Sequence, residues 1–276
     1  MRPLLPVPDP GGPRTREEMT TPAARGISAL AAGVAARLAR PARGTHEKTR
    51  DAPDVSRRHA ASVSVPHRLS SLGCMNELAA WAEHLARTLL QAPLPRRWAH
   101  VHGVAARARS LAPALGADAD LLEAAAWLHD IGYQPGLATT GLHGLDGARY
   151  LRDIQHTDTM LCRLVAHHSC AIIEAEERGL ADVLRREFEP APQPLASALT
   201  FCDMTTSPDG IPVHVDRRLA EIHRRYGSGH LVSRSMYRAT PMILDAVDQV
   251  HARAARAGFT HSVLEFFHEL GCSIER

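Results

Sequence analysis

Residues 121–132 read LLEAAAWLHDIG: an apolar run broken only by Glu123, then His129 and Asp130 side by side, then Gly132. A segment that is apolar on nearly every side of a 3.6-residue repeat is expected to be a helix buried within a core, and Gly132 is positioned as its terminator. Adjacent helical residues point about 100° apart, yet at a helix end both His129 and Asp130 can reach into one cleft. The C-terminal end of a helix also carries partial negative charge, which favours a cation there. An ionisable pair at the tip of a buried helix costs free energy unless something compensates it, and a metal ion compensates both groups.

Outward from this run, the apolar spacing stays helical. Leu78, Trp81, Leu85 and Leu89 recur every three or four residues from Asn76 onward and share one face; Pro93 and Pro95 end that helix. Further helices are expected at about Arg97–Leu111, Ala119–Asp130, Leu142–Asp153, Thr159–His168, Ile172–Gly179, Gln193–Asp203, Val215–Tyr226 and Ser233–Ala257, with a short terminal helix at Ser262–Leu270. Only Val213–Val215 faintly suggests a strand, so the fold class is all-α. Residues 1–70 mix Pro, Gly, Ser and Arg and contain no Phe, Trp or Tyr. Such a stretch buries too little apolar area to offset the entropy of ordering it. Residues 1–73 are therefore expected to be a disordered extension and 74–276 the folded domain, with Met75 an alternative start of translation.

The formal net charge of +2 is unevenly spread: residues 1–70 hold 12 basic and 6 acidic side chains, leaving 20 basic against 24 acidic in the rest. A slightly acidic folded part without a Lys/Arg stripe argues against nucleic acid as the main partner and remains compatible with a small phosphorylated substrate. The apolar stretch from Ile27 to Leu38 is too short to span a bilayer and lacks the form of a signal peptide, so no membrane anchor is expected. Five cysteines without a CxxC pair argue against a disulfide framework and for a cytoplasmic setting.

Other candidate ligands stand in order around His129 and Asp130. His100 lies 29 residues upstream in RRWAHVHGVA, on a face shared with Val104, Ala108 and Leu111, whereas His102 points elsewhere. His143 follows in TGLHGLDGARYL, the pair His167-His168 in RLVAHHS, and Asp203 in ASALTFCDMTTS. His84, His214, His223, His230, His251 and His268 are assigned no metal role, and Cys202 reads as a small core residue. Thr205, Thr206 and Ser207 either contact a substrate or cap the next turn.

The ordered pattern H…HD…H…HH…D, with HDIG at 129–132, resembles the HD-domain superfamily of metal-dependent phosphohydrolases over about Asn76–Ala257. That resemblance implies a helical bundle holding one or two divalent transition metals: Mn, Fe, Co, Ni or Zn, with Mg possible. His100, His129, Asp130 and Asp203 would form the shared site. Asp130 could bridge two ions, with His143 and one or both of His167 and His168 adding a second position. Asp130, His143 and Asp146 are the expected catalytic group, Asp146 orienting His143, and attack of metal-activated water on phosphorus the expected reaction. The 29-residue spacing and the HVHGVA segment are similar to bacterial HD hydrolases that split dinucleoside polyphosphates.

Two departures from the family pattern matter. Tyr133 stands where many members carry Lys after HDIG, leaving Arg149, Arg152, Arg234 and Arg238 as candidates to hold a phosphate. The HHExxDGxGYP motif of cyclic-di-GMP phosphodiesterases is absent after His167-His168. Two other readings follow: a di-iron oxygenase of the HD type, and a non-catalytic metal- or nucleotide-binding signalling module. Substrate-selecting residues are expected within Tyr226–Arg238, and a homo-oligomer is compatible with the sequence.

Overall fold

Ten α-helices and three short 3-10 turns make up the described part of the computed structural model, residues 77–258: α1 (Glu77–Leu90), α2 (Pro95–Leu115), α3 (Ala119–Leu128), α4 (His143–Asp153), α5 (Thr159–His167), α6 (Ala171–Glu177), α7 (Ala181–Glu187), α8 (Gln193–Met204), α9 (Val215–Tyr226) and α10 (Leu231–Arg256). No strand occurs among the described residues; Thr206 and Pro212 form an isolated bridge, and Val215 opens α9 instead of extending a strand. The fold is all-α, as the periodicity predicts. The extension expected at 1–73 and the helix expected at Ser262–Leu270 lie outside the described residues.

Helix α3 is the axis of the bundle. Leu122, Ala124, Ala125, Ala126, Trp127 and Leu128 are all buried, with α1, α2, α5 and α8 packed around them. Three consecutive alanines let neighbouring backbones come close, while Trp127 fills the volume beside Trp98 of α2, its ring stacked 5.4 Å away. The C-terminal end of α3 is thereby fixed deep in the molecule, and that end carries His129 and Asp130.

Several boundaries differ from the sequence expectation for identifiable reasons. Helix α2 begins at Pro95, because a proline is well tolerated in the first turn, where its missing N–H has no helical partner to lose. It also runs through Pro113 to Leu115 and closes at Gly116, whose φ of +62° puts it in the left-handed region. Helix α7 was not anticipated; seven residues with Leu184 as the buried anchor carry too little periodic signal.

Gly132 does not terminate α3, which ends at Leu128; it sits in the following 3-10 turn at Ile131–Tyr133. A Cβ there would lie 2.0 Å from the carbonyl oxygen of His143 and 2.8 Å from the amide nitrogen of Gly147. The glycine is required because the HD turn packs directly onto the first turn of α4.

Candidate metal centre

Five parts of the chain meet at the end of α3. Helix α2 brings His100 inward, α3 and its following turn supply His129 and Asp130, α4 begins with His143, and α8 presents Asp203. His168 enters from the 3-10 turn His168–Cys170 that follows α5. The His and Asp side chains form two trios, His100–His129–Asp203 and Asp130–His143–His168, in each of which the ligand-type atoms lie within 4.8 Å of one another. Either trio can hold a metal ion. The members are buried apart from His143, whose side chain is 14% exposed and faces the cleft mouth.

Three imidazoles are oriented by the same device. The Nδ1 of His100 bonds the Ser207 carbonyl at 2.9 Å, that of His129 the Ala126 carbonyl at 2.8 Å, and that of His168 the Val165 carbonyl at 2.7 Å. With Nδ1 turned to the main chain, each ring directs Nε2 into the centre. The Nε2 of His129 is buried without a hydrogen-bond partner, and those of His143 and His168 face each other at 3.0 Å.

Asp130 joins the trios. Its Oδ2 lies 3.3 Å from His129 Nε2 and 3.7 Å from His100 Nε2, while Oδ1 lies 3.3 Å from His143 Nε2 and 3.9 Å from His168 Nε2. Arg97, one helical turn before His100, donates to Oδ2 at 2.6 Å. Asp203 Oδ1 lies 3.0 Å from His100 Nε2, and its Oδ2 accepts from the Ser169 hydroxyl at 2.5 Å. Ser169 and Cys170 reach this geometry with φ of 47° and 61°, both left-handed.

The electrostatics follow from crowding charged groups in a buried space. Burial by itself would raise both carboxyls. For Asp130, Arg97 and then His129 override it and hold the carboxyl well below its ordinary value; for Asp203, the hydrogen bond from His100 and the charge of His129 do the same. Burial, reinforced by His143 and His129, pushes His168 down to about 3. For His129, burial is outweighed by Asp130, and its pKa rises.

Tyr133, the departure from the common lysine, is built into this wall. Its ring stacks on His143 with centroids 4.1 Å apart, and the Arg97 guanidinium lies 4.1 Å from the same ring. Tyr133 thus packs against both Arg97 and His143 and props them beside Asp130. Burial, with the charge of Asp130, drives its hydroxyl far above the ordinary tyrosine range.

Other sequence candidates are placed elsewhere. His167, the last residue of α5, turns its Nε2 to the Phe188 carbonyl at 2.7 Å, outside both trios. The Asp146 carboxylate does not bond the His143 ring; it accepts from the Thr139 amide and hydroxyl and from the Thr140 amide, bracing the loop that leads into α4. Arg149 and Arg152 bind Glu187, and Arg234 and Arg238 bind Glu177. The hydroxyls of Thr205 and Thr206 donate to carbonyls of α8, and Ser207 contributes its carbonyl to His100. The arginines that do line the cleft beside the trios are Arg97, Arg218 and Arg225. Of these, Arg97 was detectable from its i, i+3 relation to His100; Arg218 and Arg225 lie on a strongly amphipathic helix, where a charged residue reads as surface.

Compared with known proteins, residues 97–205 match the family model of the HD domain. No curated protein and no solved structure matches the chain.

Proposed function

Through residues 97–205 the chain belongs to the HD-domain superfamily of metal-dependent phosphohydrolases, and from that premise we propose that it hydrolyses a small phosphate ester, with a nucleotide as the substrate class. The observation that carries this reading is the bridging position of Asp130, one oxygen toward each His/Asp trio.

The residues present fit a divalent metal. The buried His129 Nε2 makes no hydrogen bond and stands 3.3 and 4.0 Å from oxygens of Asp130 and Asp203, a place where a cation would satisfy imidazole and carboxylates together. Two Nε2 atoms facing each other at 3.0 Å beside a carboxylate make a second such place. A mixture of imidazole and carboxylate suits Mn, Fe, Co, Ni or Zn better than a pure oxygen set would. His100, His129, Asp130 and Asp203 would hold one ion, and Asp130, His143 and His168 a second. Bound there, a divalent ion supplies Lewis acidity toward a phosphoryl oxygen and lowers the pKa of its water.

The chain's own groups do the rest. Arg97 fixes the rotamer of Asp130 and so sets which oxygen faces which trio. Ser207, Ala126 and Val165 hold three rings in the tautomer that leaves Nε2 free to ligate. His143, nearest solvent, is the imidazole best placed to exchange a proton at the cleft mouth. Asp146 positions it indirectly, by fastening residues 139–140 ahead of α4. His167 has no part in this scheme, because its ring is committed to Phe188.

A paired assay tests the proposal: elemental metal content of purified protein, and phosphate release from a nucleotide panel with each candidate metal, using Asp130→Ala as the control. Loss of the bridging carboxylate removes several kcal/mol of transition-state stabilisation, so release is expected to fall by at least about a hundredfold, with metal content reduced. Protein that binds no metal, or that releases phosphate equally well as Asp130→Ala, overturns the reading.

A further inference from the structure

Helix α9 places Arg218 in the cleft wall. The residue is 5% exposed, and a guanidinium so buried needs compensation for its charge and for its N–H groups. It has part of this: one terminal nitrogen donates to Glu221 at 2.7 Å. Its Nε is buried with no hydrogen-bond partner. Glu221 is moreover shared, since Arg225 Nε lies 3.5 Å from its other oxygen. Two guanidinium groups thus divide one carboxylate at the edge of a cleft that also contains Asp203 and Asp130.

Asp203 is the other carboxylate whose charge couples to Arg218. Both of its oxygens are already engaged, by His100 and Ser169, and a cation held by the trio would draw on the same charge. The remaining carboxylate in the wall, Glu174, is bonded to Arg178 at 2.6 Å. Arg218 thus lines the cleft with a buried N–H that has no hydrogen-bond partner, while a dication held by the trio would compete for the charge of Asp203.

Resting on the phosphohydrolase reading, we infer that Arg218 is an anion-binding residue of the cleft, taking a non-bridging phosphate oxygen of the substrate through its unpartnered Nε–H. Glu221 serves as its anchor. It fixes one end of the guanidinium so that the other is held toward the cleft before substrate arrives, and a planar, preorganised guanidinium is well matched to a phosphate. Arg97 lines the same cleft, but the nitrogen it gives to Asp130 ties it to a proposed metal ligand, whereas the anchor of Arg218 is Glu221, outside both trios.

The test is titration of manganese-loaded protein with inorganic phosphate, comparing wild type, Arg218→Gln and Arg218→Lys, with metal content and melting temperature measured on each. One charge-assisted hydrogen bond predicts about a tenfold or greater loss of phosphate affinity in Arg218→Gln at unchanged manganese content, and a smaller loss in Arg218→Lys. Should the Gln variant fail to fold, the Lys variant decides: it keeps the charge and loses the planar donor, and unchanged phosphate affinity in it overturns the assignment. Equal affinity in wild type and a folded Arg218→Gln does the same. The subsite and the hydrolase are separable. Wild type that binds phosphate through Arg218 yet releases none from any ester keeps the subsite and removes the hydrolase, whereas hydrolysis with an unchanged KM in Arg218→Gln keeps the hydrolase and removes the subsite.

Discussion

Asp130, His167 and His168 show how much a single side chain's direction decides. The two histidines are adjacent and chemically identical, and the sequence offers nothing to separate them. The backbone separates them, because α5 ends on His167 and the chain turns into a 3-10 turn at His168. Replacing His168 by Ala is therefore expected to lower metal stoichiometry or affinity by about ten- to a hundredfold, the range typical of perturbed metal sites. His167→Ala should leave metal content intact and cost about 1 kcal/mol of stability through its lost bond to Phe188; elemental analysis and thermal melts of the two variants read the difference. A pH effect follows from His129. Its pKa is raised above the ordinary 6.5, so the metal-free ring keeps its proton past that pH and must release it to ligate. Metal affinity should rise with pH through and above the ordinary histidine range and weaken as the solution is acidified, with proton release on binding. Calorimetry in buffers of different ionisation enthalpy checks this, and binding that is flat from pH 6 to 8 would contradict it.

At the scale of elements, most of the bundle was legible because a core-facing helix must repeat its apolar residues at its own period. That held for α1, α4, α8 and α9, and for α3 in the stronger form of burial on all sides. Legibility failed where another constraint took over. Pro113 reads as a stop yet lies within the last turns of α2, and α7 is too short to show a period. Gly132 resembled a helix terminator because the sequence cannot display the carbonyl of His143 lying where its Cβ would be. The same contact makes a prediction about how two elements dock. Gly132→Ala should push the HD turn off α4, destabilise the fold by about 1–3 kcal/mol or more, as overpacking does, and displace His143 from Asp130. A thermal melt together with metal content tests both, and an Ala variant with wild-type stability and full metal loading would contradict the packing described.

For the molecule as a whole, the proposed ligands are spread along the chain from His100 to Asp203, and they converge from α2, α3, α4, the turn after α5, and α8. The order of the motifs was readable in the sequence; that they would form two trios sharing Asp130 was not, because that depends on how five segments pack. A metal bound there stabilises the native state by mass action, about 2.7 kcal/mol at a free concentration one hundred times Kd. For a domain of this size, that is a rise in Tm of about 5–10 °C over chelator-treated protein, and identical melting curves with and without metal would argue against ligation by folded residues. Ser169 and Cys170, consecutive and both left-handed without being glycine, stand at the junction of these segments. Each such torsion costs of the order of 1 kcal/mol, which a more relaxed turn would return to the fold. Cys170→Gly should accordingly raise the melting temperature. The turn that delivers His168 and Ser169 to the centre is thus a point where durability has been exchanged for placement, and selection for heat resistance alone would be expected to erode it first.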